Sequence, residues 1–152
     1  MIFFMLMNPI NDICTILPPI EFEKVDKMRM ASKNEYNSEF ETIQKKLYPD
    51  LKPLSTSSSR DAVFNAALEV AKNYSSWKLL LKDEENFVIQ GIDTTSLMKY
   101  KDDFVIRILE NEDGGSLVHM RSRSRVGRSD LGKNASRITE FFAELKKQID
   151  KP

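Results

Sequence analysis

Arginine and serine alternate along one segment of the chain. Arg121, Arg123 and Arg125 are separated from one another by single serines, and Arg128 follows closely. Because side chains point to alternate faces of a β-strand, a strand here places the first three guanidiniums in a row on one face, roughly 6.5–7 Å apart. Guanidinium groups bind carboxylates and phosphates through paired hydrogen bonds. The segment therefore predicts a row of cations that needs anions, supplied either by this chain or by a ligand.

Two interpretations of this row stay open. An arginine–aspartate ladder across an open, solvated sheet face is the simpler one, because aspartates occur in the adjoining predicted strands and loop. The other is a site for an anionic small molecule, a lipid headgroup or a protein partner, helped by the free amides at a helix N-terminus. The candidate anion-binding residues are Arg107, Arg121, Arg123, Arg125, Ser129 and Asn134. The candidate structural polar network consists of Asp93, Asp102, Asp103, Asp130 and Arg137.

Residue types that catalysis requires are sparse. His119 is the single histidine and Cys14 the single cysteine, so neither a zinc, haem or iron–sulfur site nor any other cofactor is expected. We expect His119 to be a surface strand residue and Cys14 to be a bystander thiol. Asp102 and Asp103 are neighbours that point to opposite faces of a strand and cannot act on one substrate atom. A noncatalytic domain is therefore favoured over the alternative, an enzyme of unassigned reaction with its site at the turn over residues 125–134.

Length and composition predict a soluble globular domain. The chain has 152 residues, of which 41% are hydrophobic and 30% are charged. This length is enough to bury a core without disulfides. Since no apolar run approaches the roughly 18 residues of a membrane-spanning helix, no transmembrane segment is expected. Cytoplasmic residence is the expected location, with a peripheral membrane or exported location as the alternatives.

Charge is balanced overall but uneven along the chain. The 23 basic and 23 acidic side chains give a formal net charge of +0 and a pI near 6.6. Residues 1–59 sum to −1, residues 60–118 to −4, and residues 119–152 to +5, from nine basic and four acidic side chains. The overall neutrality argues against a general polyanion binder, so nucleic acid is not an expected partner.

The elements that carry these side chains follow from periodicity and turn residues. Helices are predicted over residues 38–47 and 61–74 and from residue 131 to about residue 149, because apolar residues recur there every three or four positions. Ser57 or Ser58 is predicted to cap the second helix, and Ser129 or Asp130 the third. Strands are predicted at residues 52–54, 77–81, 87–95, 103–109 and 117–126.

Short connections between the last four strands predict an antiparallel meander. The expected fold is α+β, a two-layer sandwich in which a sheet of four to five strands carries two helices on one face. Along the last strand, the helix-facing side is predicted to consist of Val118, Met120, Ser122, Ser124 and Val126. Residues 1–46 are expected to be a partly irregular N-terminal extension, and residues 47–149 the regular domain.

Three blocks of sequence carry a resemblance. They are Gly91-Ile92-Asp93-Thr94-Thr95, Tyr100-Lys101-Asp102-Asp103-Phe104-Val105-Ile106-Arg107, and the block over residues 121–135, which contains Arg125-Val126-Gly127-Arg128-Ser129-Asp130-Leu131-Gly132-Lys133-Asn134. Together they resemble a bacterial and plastid family known as domain of unknown function 1499 (DUF1499). With residues 48–54 and Trp77, the resemblance spans about residues 47–147.

The resemblance implies a domain but no reaction, because the family has no established activity. This chain has Lys99-Tyr100 where many members have a glycine followed by an aromatic residue. The membrane helices that many members carry upstream are not part of the resemblance. From the residues and the resemblance together, we expect a noncatalytic binding or structural domain whose arginine-rich face meets an anionic ligand or a protein partner.

Overall fold

Within residues 2–25 and 34–152, which the computed structural model describes, the chain forms four helices and six strands. The helices are α1 (Ile2–Met7), α2 (Glu39–Leu47), α3 (Arg60–Asn73) and α4 (Lys133–Ile149). The strands are β1 (Asp12–Cys14), β2 (Leu54–Thr56), β3 (Trp77–Asp83), β4 (Val88–Thr94), β5 (Lys101–Glu110) and β6 (Ser116–Ser124). Of the predicted extension over residues 1–46, residues 1 and 26–33 lie outside the described part of the chain.

All six strands form one antiparallel sheet. Its order is β1-β6-β5-β4-β3, and β2 also pairs with β6. The short strand β1 pairs with residues 121–123, and β2 pairs with residues 116–118. The predicted α+β meander is confirmed, and β1, which lies in the predicted extension, is the strand that the sequence pattern does not show.

Helices α3 and α4 pack on one face of this sheet, as predicted. Their apolar residues and those of the strands form one core, which includes Val63, Phe64, Ala67, Phe104, Ile106, Val118, Met120, Ile138, Phe141 and Leu145. The ring of Trp77 lies between those of Phe104 and Phe141, with centroid distances of 4.2 and 5.5 Å. Burying such side chains is the main stabilising contribution to the fold. None of the helices in the described part of the chain is long and apolar enough to cross a membrane.

Both predicted helix caps are wrong. Helix α3 is capped by Ser59, whose Oγ accepts a hydrogen bond from the Ala62 amide at 3.3 Å, and not by Ser57 or Ser58. Helix α4 has Gly132 at its N-cap, in a left-handed conformation with φ of 86° that suits a residue without Cβ. Asp130 acts just before the helix, because its Oδ1 accepts a hydrogen bond from the Gly132 amide at 2.8 Å.

The sheet face opposite the helices is covered, which corrects the expectation of an open, solvated face. Residues 15–25 and 34–36, which we call the strap, lie across it. Phe22 packs against Val88 and Val105, and the Glu23 amide donates to Oε1 of Gln90 at 2.7 Å. The strap lacks helical or strand periodicity, so the sequence pattern gives no sign of what it covers.

Candidate functional site

Arg121 lies at the centre of the covered sheet face. Its side chain is 0% exposed, and its Nε and Nη2 donate to the two carboxylate oxygens of Asp12 at 2.9 and 2.6 Å. Its Nη1 donates to the Ile20 carbonyl at 2.9 Å. The Phe22 ring centroid lies 4.8 Å from the guanidinium carbon. A buried cation thus joins strand β6 to β1 and to the strap.

The other arginines of this face also meet partners within the chain. Arg125 forms a bidentate pair with Asp103, at 2.9 and 2.7 Å, and these hydrogen bonds raise the pKa of its guanidinium. Arg123 donates to the Glu35 carbonyl at 2.7 Å and lies 3.8 Å from Asp12. Arg107 pairs with Glu23. The predicted row of guanidiniums exists, and within the described residues it meets the carboxylates of Asp12 on β1 and Asp103 on β5 and backbone carbonyls of the strap.

Asp12 is the partner that sequence reasoning missed. It is 1% exposed and accepts both hydrogen bonds from Arg121. The one signal in the sequence is an aspartate immediately before the apolar pair Ile13-Cys14, three residues after Pro9. Because a buried carboxylate needs a cation or several hydrogen bonds, this position could have been linked to the arginine row.

A second polar cluster lies between the sheet and helix α4. Arg137 donates through Nε to Asp93 at 2.8 Å and through Nη2 to Asp102 at 2.7 Å. Its Nη1 donates to Oγ of Ser122 at 2.9 Å and to Oδ1 of Asn134 at 2.7 Å. The guanidinium therefore uses all three of its nitrogens on acceptors from β4, β5, β6 and its own helix.

Asn134 extends this cluster to the turn before the helix. Its Nδ2 donates to Oγ of Ser124 at 2.9 Å and to Oδ2 of Asp130 at 2.8 Å. Burial raises the pKa of the Asp130 carboxyl, while the hydrogen bond from Asn134 opposes that change. Asp93, Asp102, Asp130 and Arg137 from the predicted network thus meet here, together with Asn134. Asp103 lies on the opposite sheet face with Arg125.

His119 is buried, and its predicted surface position is wrong. It is 3% exposed because the strap covers it, and its Nδ1 lies 3.3 Å from Oγ1 of Thr15. Burial lowers the pKa of the imidazole. Cys14 is also buried, with its backbone bonded to the side chain of Gln44, and burial raises the pKa of its thiol. Both side chains are therefore withdrawn from solvent.

Two clefts flank the turn over residues 129–133. The first has a volume of about 660 Å³ and lies between Trp77, Arg137 and Glu140. The second, of about 480 Å³, lies between the β4–β5 loop and the β6–α4 loop, and we call it the loop-end cleft. Among its lining residues are Leu97, Met98, Tyr100, Val126, Ser129, Leu131 and Lys133. Of the predicted anion-binding residues, Ser129 is therefore the one that borders this cleft.

The lining of the loop-end cleft combines apolar side chains with hydroxyl groups, the carboxylates of Asp102 and Asp130, and one cation, Lys133. Leu97, Met98, Val126 and Leu131 are exposed although they are large apolar residues. Lys133 at the start of α4 is exposed as well. Within the described residues, no three His, Cys, Asp or Glu side chains are grouped as a metal site requires. Such a surface can hold an apolar group and, next to it, an anionic one.

Two solved structures are similar to the chain over part of its length. The crystal structure of Ara h 8.0201 has 11% sequence identity and a TM-score of 0.48, over 64% of this chain and 94% of that chain. The crystal structure of TTHA0849 from Thermus thermophilus has 12% identity and a TM-score of 0.37, over 64% of this chain and 90% of that chain. No curated protein matches the sequence.

One family model, described as a protein of unknown function (DUF1499), matches residues 21–145. The match confirms the resemblance carried by the three sequence blocks. It also begins earlier than residue 47, so that it includes part of the strap and helix α2. The arginine row, the Arg137 cluster and the loop-end cleft all lie within the matched residues. The chain belongs to the DUF1499 family of proteins of unknown function.

Proposed function

We propose that this chain is a noncatalytic binding domain that takes an anionic amphiphile in the loop-end cleft. The observation that carries the proposal is a cleft of about 480 Å³ lined by Leu97, Val126 and Leu131, with the exposed Lys133 in the same lining. The carboxylates of Asp102 and Asp130 also line it, but they are hydrogen-bonded to Arg137 and Asn134, so Lys133 is the charged group that can meet an anion. Binding pockets of this volume are common, and a few polar groups in an apolar cleft orient the ligand. The apolar wall would hold a hydrocarbon segment, and the lysine would pair with the acidic head.

The arginine row has a different part in this proposal. Arg121 and Arg125 already donate bidentately to Asp12 and Asp103, so an incoming anion would have to displace a buried carboxylate. Exposed cations such as Lys133 bind an anion without that loss. Anion binding, which the sequence predicts for the arginine face, is therefore assigned to the loop end, and the arginines are assigned to holding the strap.

Polar contacts support binding rather than catalysis. Asp102 and Asp130 are the acids next to the turn over residues 125–134, and both are hydrogen-bonded to Arg137 or Asn134. Their carboxylates hold the sheet and helix α4 together. A general acid or base needs to reach a substrate proton, and these two groups are already used within the chain.

Thermal unfolding with three soluble probes tests the proposal. The probes are inorganic phosphate, dodecyl phosphate below its micelle concentration, and dodecyl maltoside, which has the same tail without charge. Because only binding to the folded state stabilises it, we expect a saturable rise in midpoint with dodecyl phosphate, of about 2–4 °C for each kcal/mol of binding. No rise, or an equal rise with dodecyl maltoside, would show that the cleft does not bind an anionic amphiphile.

A substitution in the cleft wall locates the effect. Val126→Asp places a carboxylate in the wall at an exposed position, so the fold should persist while the rise with dodecyl phosphate disappears. Leu109→Asp is the matched control, since Leu109 is also exposed and lies on β5 outside the cleft. A rise that survives Val126→Asp would place the binding elsewhere.

A further inference from the structure

One end of the sheet exposes large apolar side chains on two loops. Leu97 is 88% exposed at the tip of the β4–β5 loop, with Met98 beside it, and Val126 and Leu131 are exposed on the β6–α4 loop. Single exposed apolar residues are common on protein surfaces, whereas several from neighbouring loops indicate a surface that contacts something.

The β4–β5 loop holds its apolar tip in a fixed conformation. The Lys99 amide donates to the Thr95 carbonyl at 3.1 Å, the Thr95 amide donates to the Tyr100 carbonyl at 2.8 Å, and the Tyr100 amide donates to Oγ1 of Thr95 at 2.9 Å. Leu97 and Met98 are thus presented to solvent by a loop whose ends are closed by three hydrogen bonds.

Helix α1 adds a second exposed apolar group at the same end. Its exposed large residues are Ile2, Phe3, Phe4, Leu6 and Met7. The helix lies against the turn before α4, because a Cβ on Gly132 would be 3.3 Å from Cε of Met5. The chain after α1 is also tied to that turn, since the Asp130 amide donates to the Ile10 carbonyl at 3.0 Å and Asn11 donates to the Gly127 carbonyl at 2.7 Å.

The two ends of the sheet differ in charge. Lys99, Lys101, Arg128 and Lys133 are exposed around the apolar loops, and within the described residues none of them forms a salt bridge. The turns at the opposite end are acidic and carry Asp83, Glu84, Glu85, Glu110, Glu112 and Asp113. The apolar end is therefore the one that a negatively charged surface attracts.

We infer that α1 and the two loops form a docking surface for an anionic phospholipid bilayer. Apolar side chains that enter the headgroup region and cations that stay at its level are what such a surface requires, since lysine and arginine near an anionic leaflet each add attraction. The inference rests on the proposed function, because an amphiphile in the loop-end cleft would enter from the surface on which the domain docks. The acidic end would face away from the membrane.

Sedimentation of the full chain with vesicles tests the inference. At low salt, we expect the protein to sediment with vesicles of equal parts phosphatidylcholine and phosphatidylglycerol. With vesicles of phosphatidylcholine alone, we expect it to remain in the supernatant. Raising the salt concentration should weaken binding, because the attraction between exposed charges is screened. Absence of binding to the mixed vesicles at low salt would overturn the inference.

Substitutions separate the apolar and cationic contributions. Phe3→Ser with Leu6→Ser changes exposed positions of α1, and replacing Lys99, Lys101, Arg128 and Lys133 by glutamine removes the cations. Each variant should lower the partition into mixed vesicles on the order of tenfold or more. The matched charge control replaces the exposed Lys52, Lys82, Lys146 and Lys151 by glutamine, and binding comparable to the unchanged chain is expected. An equal loss in this control would mean that net charge, and not this end of the sheet, drives the binding.

The two proposals fail in different ways. The Phe3→Ser and Leu6→Ser variant leaves the cleft lining unchanged, so it should lose vesicle binding and keep the rise in midpoint with dodecyl phosphate. A chain that shows this rise but does not bind mixed vesicles would disprove docking and leave the amphiphile site. The chain could instead fail to bind vesicles and form a dimer that the Phe3→Ser and Leu6→Ser variant does not form. That result would show that the apolar end binds a second copy, and it would overturn docking on a bilayer.

Discussion

The two faces of the sheet bury arginines in different surroundings. On the helix face, Arg137 belongs to α4 and reaches acids on β4 and β5, within a layer that apolar packing already fixes. On the strap face, Arg121 belongs to the sheet and binds Asp12 and a strap carbonyl, while the apolar contacts of the strap are few and centred on Phe22. We infer that the first cluster shares the stability of the whole domain, whereas the second mainly fastens one segment.

Removing Arg137 should produce the largest effect. Arg137→Leu leaves Asp93 and Asp102 without their cation in a buried position, and breaking such a pair costs about 3–5 kcal/mol. Urea unfolding followed by circular dichroism measures this loss. Adding Asp102→Asn should restore part of it, because a neutral amide does not carry a buried charge. A loss below about 1 kcal/mol would mean that the helix face does not depend on this cluster.

Removing Asp12 should cost less and act more locally. Asp12→Ala leaves the buried guanidinium of Arg121 without its carboxylate. Because the strap can detach before the domain unfolds and let water reach that cation, the loss should stay at about 2–3 kcal/mol. Amide hydrogen exchange should therefore accelerate over residues 15–25 and stay slow in β4 and β5. Asp50→Ala, at an exposed position, is the control. Equal acceleration throughout the sheet would show that the two faces unfold together and would remove the difference between them.

Arg125 tests whether exposure sets the strength of an ion pair on the strap face. Its pair with Asp103 is bidentate but partly exposed, with 17% of the arginine side chain accessible. Arg125→Gln leaves the buried carboxylate of Asp103 with an amide donor in place of a cation, so it should reduce the free energy of unfolding by about 1–3 kcal/mol, and by less than Asp12→Ala does, with little change in exchange over the strap. A loss as large as that of Asp12→Ala would show that exposure does not set the order of these pairs.

The sequence predicts which side chains of β6 share a face. It predicts the helices that cover one face, but not the strap that covers the other. Alternation places Val118, Met120 and Ser122 toward the helices because the period of a strand is fixed by its backbone. The same prediction is wrong for Val126, which is 59% exposed because β6 ends at Ser124. It also places Arg121 on the other face, but the strap that buries Arg121 has no period, and its contacts depend on single side chains such as Phe22. Tertiary contacts of an irregular segment leave no pattern that can be seen in the sequence.

The candidate sites are likewise predictable where their residues lie in or beside regular elements, and not where they lie in irregular loops. Asp93, Asp102 and Arg137 lie in predicted regular elements or beside them, and the predicted polar network includes all three because their spacing and charge can be seen in the sequence. The turn over residues 125–134, where the sequence offers the alternative site, forms one side of the loop-end cleft. The other side is not predicted, since the exposure of Leu97 and Met98 depends on how the β4–β5 loop closes on Thr95. An apolar pair beside Lys99 is the signal that was available.

The smallest expected effect is a pH dependence of the strap face. Burial lowers the pKa of His119 below its ordinary value of 6.5. As the pH falls below about 6.5, His119 is therefore protonated in the unfolded chain while it stays neutral in the folded chain. The contribution of His119 to stability is therefore complete above that pH and decreases as the pH falls toward the folded pKa. Thermal midpoints at pH 7.5 and 5.5 should differ more for the unchanged chain than for His119→Gln, which does not titrate. Because His119 contacts Thr15 of the strap, the protection factors for hydrogen exchange, which are corrected for the intrinsic rate at each pH, should fall over residues 15–25 at the lower pH while those in α4 do not. An unchanged strap at pH 5.5 would mean that His119 is protonated without opening the segment that covers it.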